Sequence, residues 1–125
     1  MGRIIKHIEI EGRPAVALFD TGAVYTYVRP AYLENISRHA LSHPFRVALG
    51  GRGIEIREMC FVDGKIEGLD FSAHVVPLED IGHVDGHDLD ALIGAMTMES
   101  YQIILDPRTG TLNLDVLKSR EFTEF

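Results

Sequence analysis

The stretch Ala17-Leu18-Phe19-Asp20-Thr21-Gly22-Ala23 places a single carboxylate at the end of an apolar run. The residues before Asp20 favour a β-strand, and an ionised carboxylate is costly to bury unless it is paired or hydrogen-bonded. Gly22 permits a tight turn or the close approach of another backbone, and the hydroxyl of Thr21 can hydrogen-bond within the loop. The pattern predicts that Asp20 is held on a rigid loop at the edge of the core.

Asp-Thr-Gly is also ordinary turn chemistry, because Asp hydrogen-bonds its own backbone two residues on and Gly adopts positive φ. Two further motifs favour a functional interpretation. Leu92-Ile93-Gly94 is a second apolar segment that ends on glycine before a predicted short helix, and Gly50-Gly51-Arg52-Gly53 lies between the two. In this order, the three motifs resemble those of the retropepsin-like aspartic proteases.

The resemblance implies a retropepsin-like acid-protease barrel, an all-β fold with two short helices whose functional unit is a two-fold homodimer. It implies an aspartic endopeptidase that hydrolyses peptide or protein substrates with no cofactor and no metal. It assigns catalytic roles to Asp20, Thr21 and Gly22, pocket-wall roles to Leu18, Ala23 and Leu92, and a mobile flap tip to Gly50, Gly51 and Gly53.

The residue pattern by itself also predicts an all-β barrel or sandwich, because many short strands alternate with turn signals. Strands are predicted over residues 3–10, 15–19, 24–28, 45–49, 54–57, 59–63, 69–77, 92–93, 103–105 and 111–114. Short helices are predicted over residues 31–36, after Pro30 and ending near His39, and over residues 95–101. Residues 1–114 form the predicted domain, and residues 115–125 a charged, loose C-terminal tail.

The chain contains a single Asp-Thr-Gly motif, which predicts that two chains together form the active site. Peptide hydrolysis requires a base that activates water and an acid that protonates the carbonyl oxygen, and two adjacent carboxyls that share a proton supply both. Asp63-Gly64 and Asp85-Gly86 lack the hydroxyl residue between Asp and Gly, so neither duplicates the motif. A two-fold homodimer brings Asp20 opposite its own copy.

The chain departs from viral members of the family at two positions. Those members carry an acidic residue four positions after the catalytic Asp and an Arg just after the apolar-apolar-Gly motif, and the two side chains pair. Val24 and Ala95 occupy these positions here, which indicates a cellular or prokaryotic branch. The C-terminal hairpin, residues 102–114, is a candidate for the dimer strands, because exposed β edges readily pair.

Two alternatives remain open. Residues 83–90 contain two histidines and three aspartates, which are metal-ligand types. No predicted helix or strand holds them and their spacing matches no known metal motif, so a solvated acidic loop is the favoured interpretation. The second alternative is a non-catalytic dimeric peptide-binding or interaction domain on the same barrel, in which Asp20 is structural.

Composition limits the other function classes. A net charge of −7 with scattered Lys and Arg disfavours nucleic-acid binding. No apolar run is long enough to cross a membrane, and the first nine residues lack the apolar stretch of a signal peptide. The single Cys60 cannot form an intrachain disulfide and is expected to be a buried, inert thiol. A cytoplasmic location is therefore expected.

Overall fold

The structure is a computed structural model described for residues 3–124. Residues 1, 2 and 125, at the ends of the predicted domain and tail, lie outside the described part. The helices are α1 Ala95–Ser100 and α2 Asp115–Ser119. The strands are β1 Arg3–Ile10, β2 Arg13–Asp20, β3 Thr26–Val28, β4 Arg38–Leu49, β5 Arg52–Ile66, β6 Leu69–Pro77, β7 His83–Val84, β8 His87–Asp88, β9 Ala91–Ile93, β10 Ile104–Asp106 and β11 Thr111–Asn113.

The main sheet closes on itself. Its order is β1-β2-β9-β3-β6-β5-β4, and β1 also pairs with β5, so six strands form a ring and β4 lies outside it. β9 lies between β2, to which it is parallel, and β3, to which it is antiparallel. The prediction of an all-β barrel is confirmed.

Alternation along β2 divides the core. Successive side chains of a strand point to opposite faces, so Phe19 packs in one buried cluster with Ile10 and Leu117. Leu18 instead packs in a second cluster with Tyr27 and Leu92. Asp20 lies two residues after Leu18, so its side chain is on the same face of β2 and emerges at the border of the second cluster.

The helix predicted over residues 31–36 is wrong. Pro30–Tyr32 form a single 3-10 turn, and β4 begins at Arg38. The expected extension of the helix toward His39 is replaced by pairing with β5, since Arg38 and His39 lie opposite Cys60 and Met59 in the antiparallel ladder. The register shifts between Ala40 and Phe45, which accommodates Pro44 in an outer strand where it need not donate a hydrogen bond.

The prediction of a loose tail is wrong for its first residues. Asp115–Ser119 form α2, and Leu117 is fully buried in the main core. The segments predicted separately as residues 54–57 and 59–63 are one strand, β5, and the strand predicted to start at residue 24 starts at Thr26. None of the helices formed by residues 3–124 has the length and apolar character needed to span a membrane.

Candidate active site

Asp20 ends β2 and closes a tight loop with its own backbone. Its Oδ1 accepts a hydrogen bond from the Gly22 backbone N–H at 2.8 Å, and its carbonyl oxygen accepts one from the Ala23 N–H at 3.2 Å. The side chain is 19% exposed, because β1 and β9 flank the strand that carries it. The carboxylate is thus held in one orientation while it still reaches the surface.

Backbone hydrogen bonds join this loop to the second motif. Ala95 N–H donates to the Ala23 carbonyl at 2.7 Å, and Met96 N–H donates to the Val24 carbonyl at 3.0 Å. Gly94 is required at the junction, since a Cβ there would lie 2.1 Å from the Tyr25 carbonyl oxygen. The two sequence motifs are therefore one structural unit.

A buried hydroxyl pair lies beneath the same junction. The Thr26 and Thr97 Oγ1 atoms are 2.6 Å apart, and the Gly94 N–H donates to Thr26 Oγ1 at 3.1 Å. Because buried donors and acceptors are costly when unpaired, this small network fixes the loop relative to α1.

Asp20 lines a groove of about 470 Å³ with Leu18, Leu92 and Gly50. The groove joins five parts of the chain: the start of β1, the end of β2, the tip of the long β4–β5 hairpin, the segment of residues 80–89, and β9. Its other apolar lining residues are Leu49, Ile81, Val84 and Leu89. The charged side chains of Arg3, Arg52 and Asp80 border it, and His83 adds a positive charge when its ring is protonated.

The remaining predicted site residues lie outside this groove lining. Thr21 and Gly22 are exposed on the loop, and Ala23 is buried behind it. Gly51 lies at the hairpin tip with φ of +81°, whereas Gly53 lies within β5 opposite Ala48. Of the three predicted flap glycines, Gly50 is the one in the groove wall.

Sequence reasoning missed two arginines. Arg3 Nε lies 3.8 Å from Asp20 Oδ2, and the signal was available: a two-residue turn at residues 11–12 sets the register that pairs Arg3 with Asp20. Arg52 extends from the hairpin tip to the segment after β6, with Nη2 donating to the Ile81 carbonyl at 3.3 Å and Nη1 3.7 Å from Asp80 Oδ2. No local pattern announces that contact.

Residues 83–90, predicted to form a solvated acidic loop, contain a small hairpin, β7–β8. His83 Nδ1 lies 2.7 Å from Asp88 Oδ1, and both side chains are largely exposed. The rings of His87 and His7 meet edge to face at 6.3 Å. Within residues 3–124, no group of three or more His, Cys, Asp or Glu side chains is arranged to hold a metal ion.

Comparison with known proteins relates the chain to solved structures. No protein-family model and no curated protein matches it. The retroviral protease-like domain of Ddi1 from Leishmania major matches with a TM-score of 0.57 and 16% identity, over 92% of this chain and 90% of that domain. A Legionella pneumophila protein of unknown function (DUF785) matches with a TM-score of 0.56 and 13% identity, over 84% of this chain and 91% of its own.

The protease of simian foamy virus matches with a TM-score of 0.49 and 18% identity, over 78% of this chain and 91% of that one. At these identities the likeness shows the fold alone. With the barrel order, the two joined motifs and the match to the Ddi1 domain in view, the fold of this chain is retropepsin-like.

Proposed function

We propose that this protein is an aspartic endopeptidase whose catalytic dyad forms from Asp20 of two copies. The observation that carries the proposal is the placement of one anchored, partly exposed carboxylate in a groove with apolar walls from Leu18 and Leu92. Gly50, at the tip of the hairpin over that groove, supports a flap role for the hairpin. Apolar walls with a few fixed polar groups are typical of ligand sites.

The proposed chemistry needs two carboxyls close together. Neighbouring like charges cannot both ionise, so the pair shares one proton. The ionised carboxyl then draws a proton from a bound water, the water oxygen attacks the peptide carbonyl carbon, and the protonated carboxyl gives its proton to the carbonyl oxygen. The tetrahedral intermediate then collapses: the C–N bond breaks, one hydroxyl of the intermediate returns its proton to the dyad, and the carboxyl that took the water proton gives it to the departing amine nitrogen. Gly22 N–H, through Oδ1, keeps each carboxylate pointed toward the shared site.

The homodimer follows from the count of motifs. One chain carries a single Asp-Thr-Gly, and a two-fold axis is the simplest arrangement that places a residue against itself. We further propose a cytoplasmic location, which the free, buried thiol of Cys60 supports because structural disulfides dominate in oxidising compartments.

One observation favours the non-catalytic alternative, a dimeric peptide-binding domain. In the single chain both carboxylate oxygens of Asp20 face donors, since Oδ1 accepts from Gly22 and Oδ2 lies 3.8 Å from Arg3 Nε. In the dyad Oδ2 must face the water and the partner carboxyl. Arg3, which is half exposed, has to rotate away for catalysis to proceed.

The deciding experiment compares Asp20→Asn with Asp85→Asn, which alters another Asp-Gly pair on the exposed hairpin. Cleavage of unfolded β-casein is followed by mass spectrometry from pH 3 to pH 8, with and without a statine-type transition-state mimic. We expect the wild type and Asp85→Asn to cleave and to be inhibited, and Asp20→Asn to lose about 10² to 10⁴-fold in rate.

Assembly is tested in the same samples. Native mass spectrometry is expected to show dimers for the wild type and both variants, and the rate per chain is expected to fall on dilution below the dimer dissociation constant. A dimeric wild type that binds casein but cleaves nothing would favour the peptide-binding alternative. A strictly monomeric enzyme would reject the dyad.

A further inference from the structure

Exposed apolar side chains are concentrated on one side of the Asp20 loop. Among residues 3–124, six large hydrophobic side chains are exposed. Phe61 and Met96 line a common cleft, Phe45 meets Tyr25 of that cleft at 5.6 Å between ring centroids, and Val24 accepts a backbone hydrogen bond from Met96. A cluster of this kind marks an interaction site more often than scattered exposed residues do.

The cleft lies between α1 and the outer faces of β5 and β6. It has a volume of about 420 Å³, and its apolar walls come from Met59, Phe61, Met96, Tyr25 and Tyr101. No Asp, Glu, Lys or Arg lines it, although a quarter of the chain is charged. Methionine is flexible and polarizable, which suits a surface that adapts to different apolar side chains.

Most of the hydroxyl groups that line the cleft are hydrogen-bonded within the protein. Tyr101 Oη donates to the Ser72 carbonyl at 3.1 Å and accepts from the Ser72 N–H at 2.8 Å. Thr26 and Thr97 are paired with each other, as described above. The His74 ring packs against Phe61 at 4.9 Å between centroids. The chemistry of the cleft therefore selects an apolar side chain rather than a charged ligand.

The cleft and the groove are carried by the same loop. Tyr25 lines the cleft, and Asp20, five residues earlier, lines the groove. The two linings share no residue, and Tyr25 packs against the buried cluster that contains Leu18 and Leu92.

We infer that this cleft is a second subsite that binds a leucine-, methionine- or phenylalanine-like side chain of the protein substrate, outside the groove at Asp20. The inference rests on the proposed protease function. Asp20 and Tyr25 are five residues apart, which limits their separation to about 18 Å. A substrate residue about five positions from the scissile bond can therefore reach Tyr25, one position further than an octapeptide extends on either side of its cleaved bond.

A binding test that does not depend on catalysis uses the Asp20→Asn protein with ¹³C-methyl methionine. The probe is the peptide acetyl-Ser-Leu-Phe-Ser-amide, and acetyl-Ser-Asp-Asp-Ser-amide is its charged control. We expect the Met59 and Met96 methyl signals to shift with the apolar peptide only. Met98, which is 2% exposed in the core, serves as the internal reference and is expected to stay still.

Equal shifts at Met98, or none at Met59 and Met96, would overturn the subsite. A second test uses Phe61→Ser and Met96→Ser, with Arg57→Ser as the control, since Arg57 is exposed on the same strand as Phe61 but does not line the cleft. The substrates are unfolded β-casein and an octapeptide spanning one of its cleaved bonds.

Phe61→Ser and Met96→Ser are expected to lower kcat/KM for casein about tenfold, the effect of losing one buried apolar contact, and to leave octapeptide cleavage unchanged. A dimer defect would lower kcat/KM for both substrates together. A loss confined to casein therefore distinguishes a subsite defect from a dimer defect. Equal losses on both substrates, or no loss on casein, would reject the inference. If the wild type cleaves neither substrate, the proposed function fails. The methionine titration still tests whether the cleft binds the apolar peptide.

Discussion

The groove at Asp20 and the cleft beside α1 are similar in size and both have apolar walls, but they differ in charge. The groove is bordered by Arg3, Arg52 and Asp80 and lies beneath a glycine-rich tip, whereas the cleft has no charged lining and is bordered by methionines and aromatics. They share the loop that runs from Asp20 to Tyr25. One short loop thus presents a carboxylate on one side and an apolar surface on the other.

The junction between the two regions predicts the largest effect. Gly94→Ala would push a Cβ into the Tyr25 carbonyl, and backbone cannot yield as a side-chain end can. We expect a loss of roughly 3 kcal/mol in the free energy of unfolding, measured by urea denaturation. Gly53→Ala is the control, because only the flexible end of Arg46 must move there, and it should stay within about 1 kcal/mol of the wild type.

If Gly94→Ala is as stable as Gly53→Ala, the loop and α1 are not rigidly joined, and the groove and the cleft do not share one rigid support.

The hydroxyl pair beneath the loop predicts a smaller effect. Thr26→Val removes the acceptor of the Gly94 N–H and the partner of Thr97, at a cost of about 1 to 3 kcal/mol. Thr97→Val should cost less, and the double variant should cost less than the sum, because the second substitution removes a hydroxyl already left unpaired. Additive losses in a double-mutant cycle would contradict this coupling.

The tip of the β4–β5 hairpin forms one wall of the groove, and Arg52 joins that tip to the segment after β6. Arg52→Gln breaks the contact with Asp80 and weakens the one with Ile81, so amides at the hairpin tip should exchange faster with deuterium while global stability changes by less than about 1 kcal/mol. Arg57→Gln, which removes an exposed pair with Glu55 on the same strand, should leave tip exchange unchanged. Equal acceleration in both variants would show that Arg52 does not hold the tip.

The smallest effect concerns Cys60, which lies in the core and in neither region. Burial raises the pKa of its thiol above the ordinary 9.0, so the folded chain keeps the proton while the unfolded chain loses it first. Stability from this group is present below pH 9 and falls as the pH rises beyond it, by at most about 1.4 kcal/mol per pH unit. Urea unfolding at pH 7 and pH 10 should show this decrease relative to Cys60→Ala.

The sequence predicted the strands that carry the site better than it predicted their surroundings. The expected strands 15–19 and 92–93 lie within β2 and β9, which carry Asp20 and Leu92, and residues 3–10 form β1 with the expected bounds, because alternation and turn signals agree there. The helix expected over residues 31–36 is limited to the 3-10 turn Pro30–Tyr32, and its expected end near His39 lies in β4, which pairs with the distant β5.

Within the site, the neighbourhood of Asp20, Leu18 and Leu92 could be anticipated from two motifs, and the structure places all three in one groove. The contact of Arg52 with Asp80 could not, because it depends on where a 12-residue strand ends relative to a distant segment. The apolar cleft was equally hidden, since Met59, Phe61 and Met96 come from separate elements.

The position of β4 outside the closed ring has a consequence for the behaviour of the protein at high concentration. Within residues 3–124 this strand pairs on one side only, which leaves backbone groups that another chain could join in an open-ended stack. Pro44 and the break in register between Ala40 and Phe45 interrupt that edge. The break in register therefore disfavours stacking of chains along β4. A β4 with continuous register would make the protein more prone to aggregate.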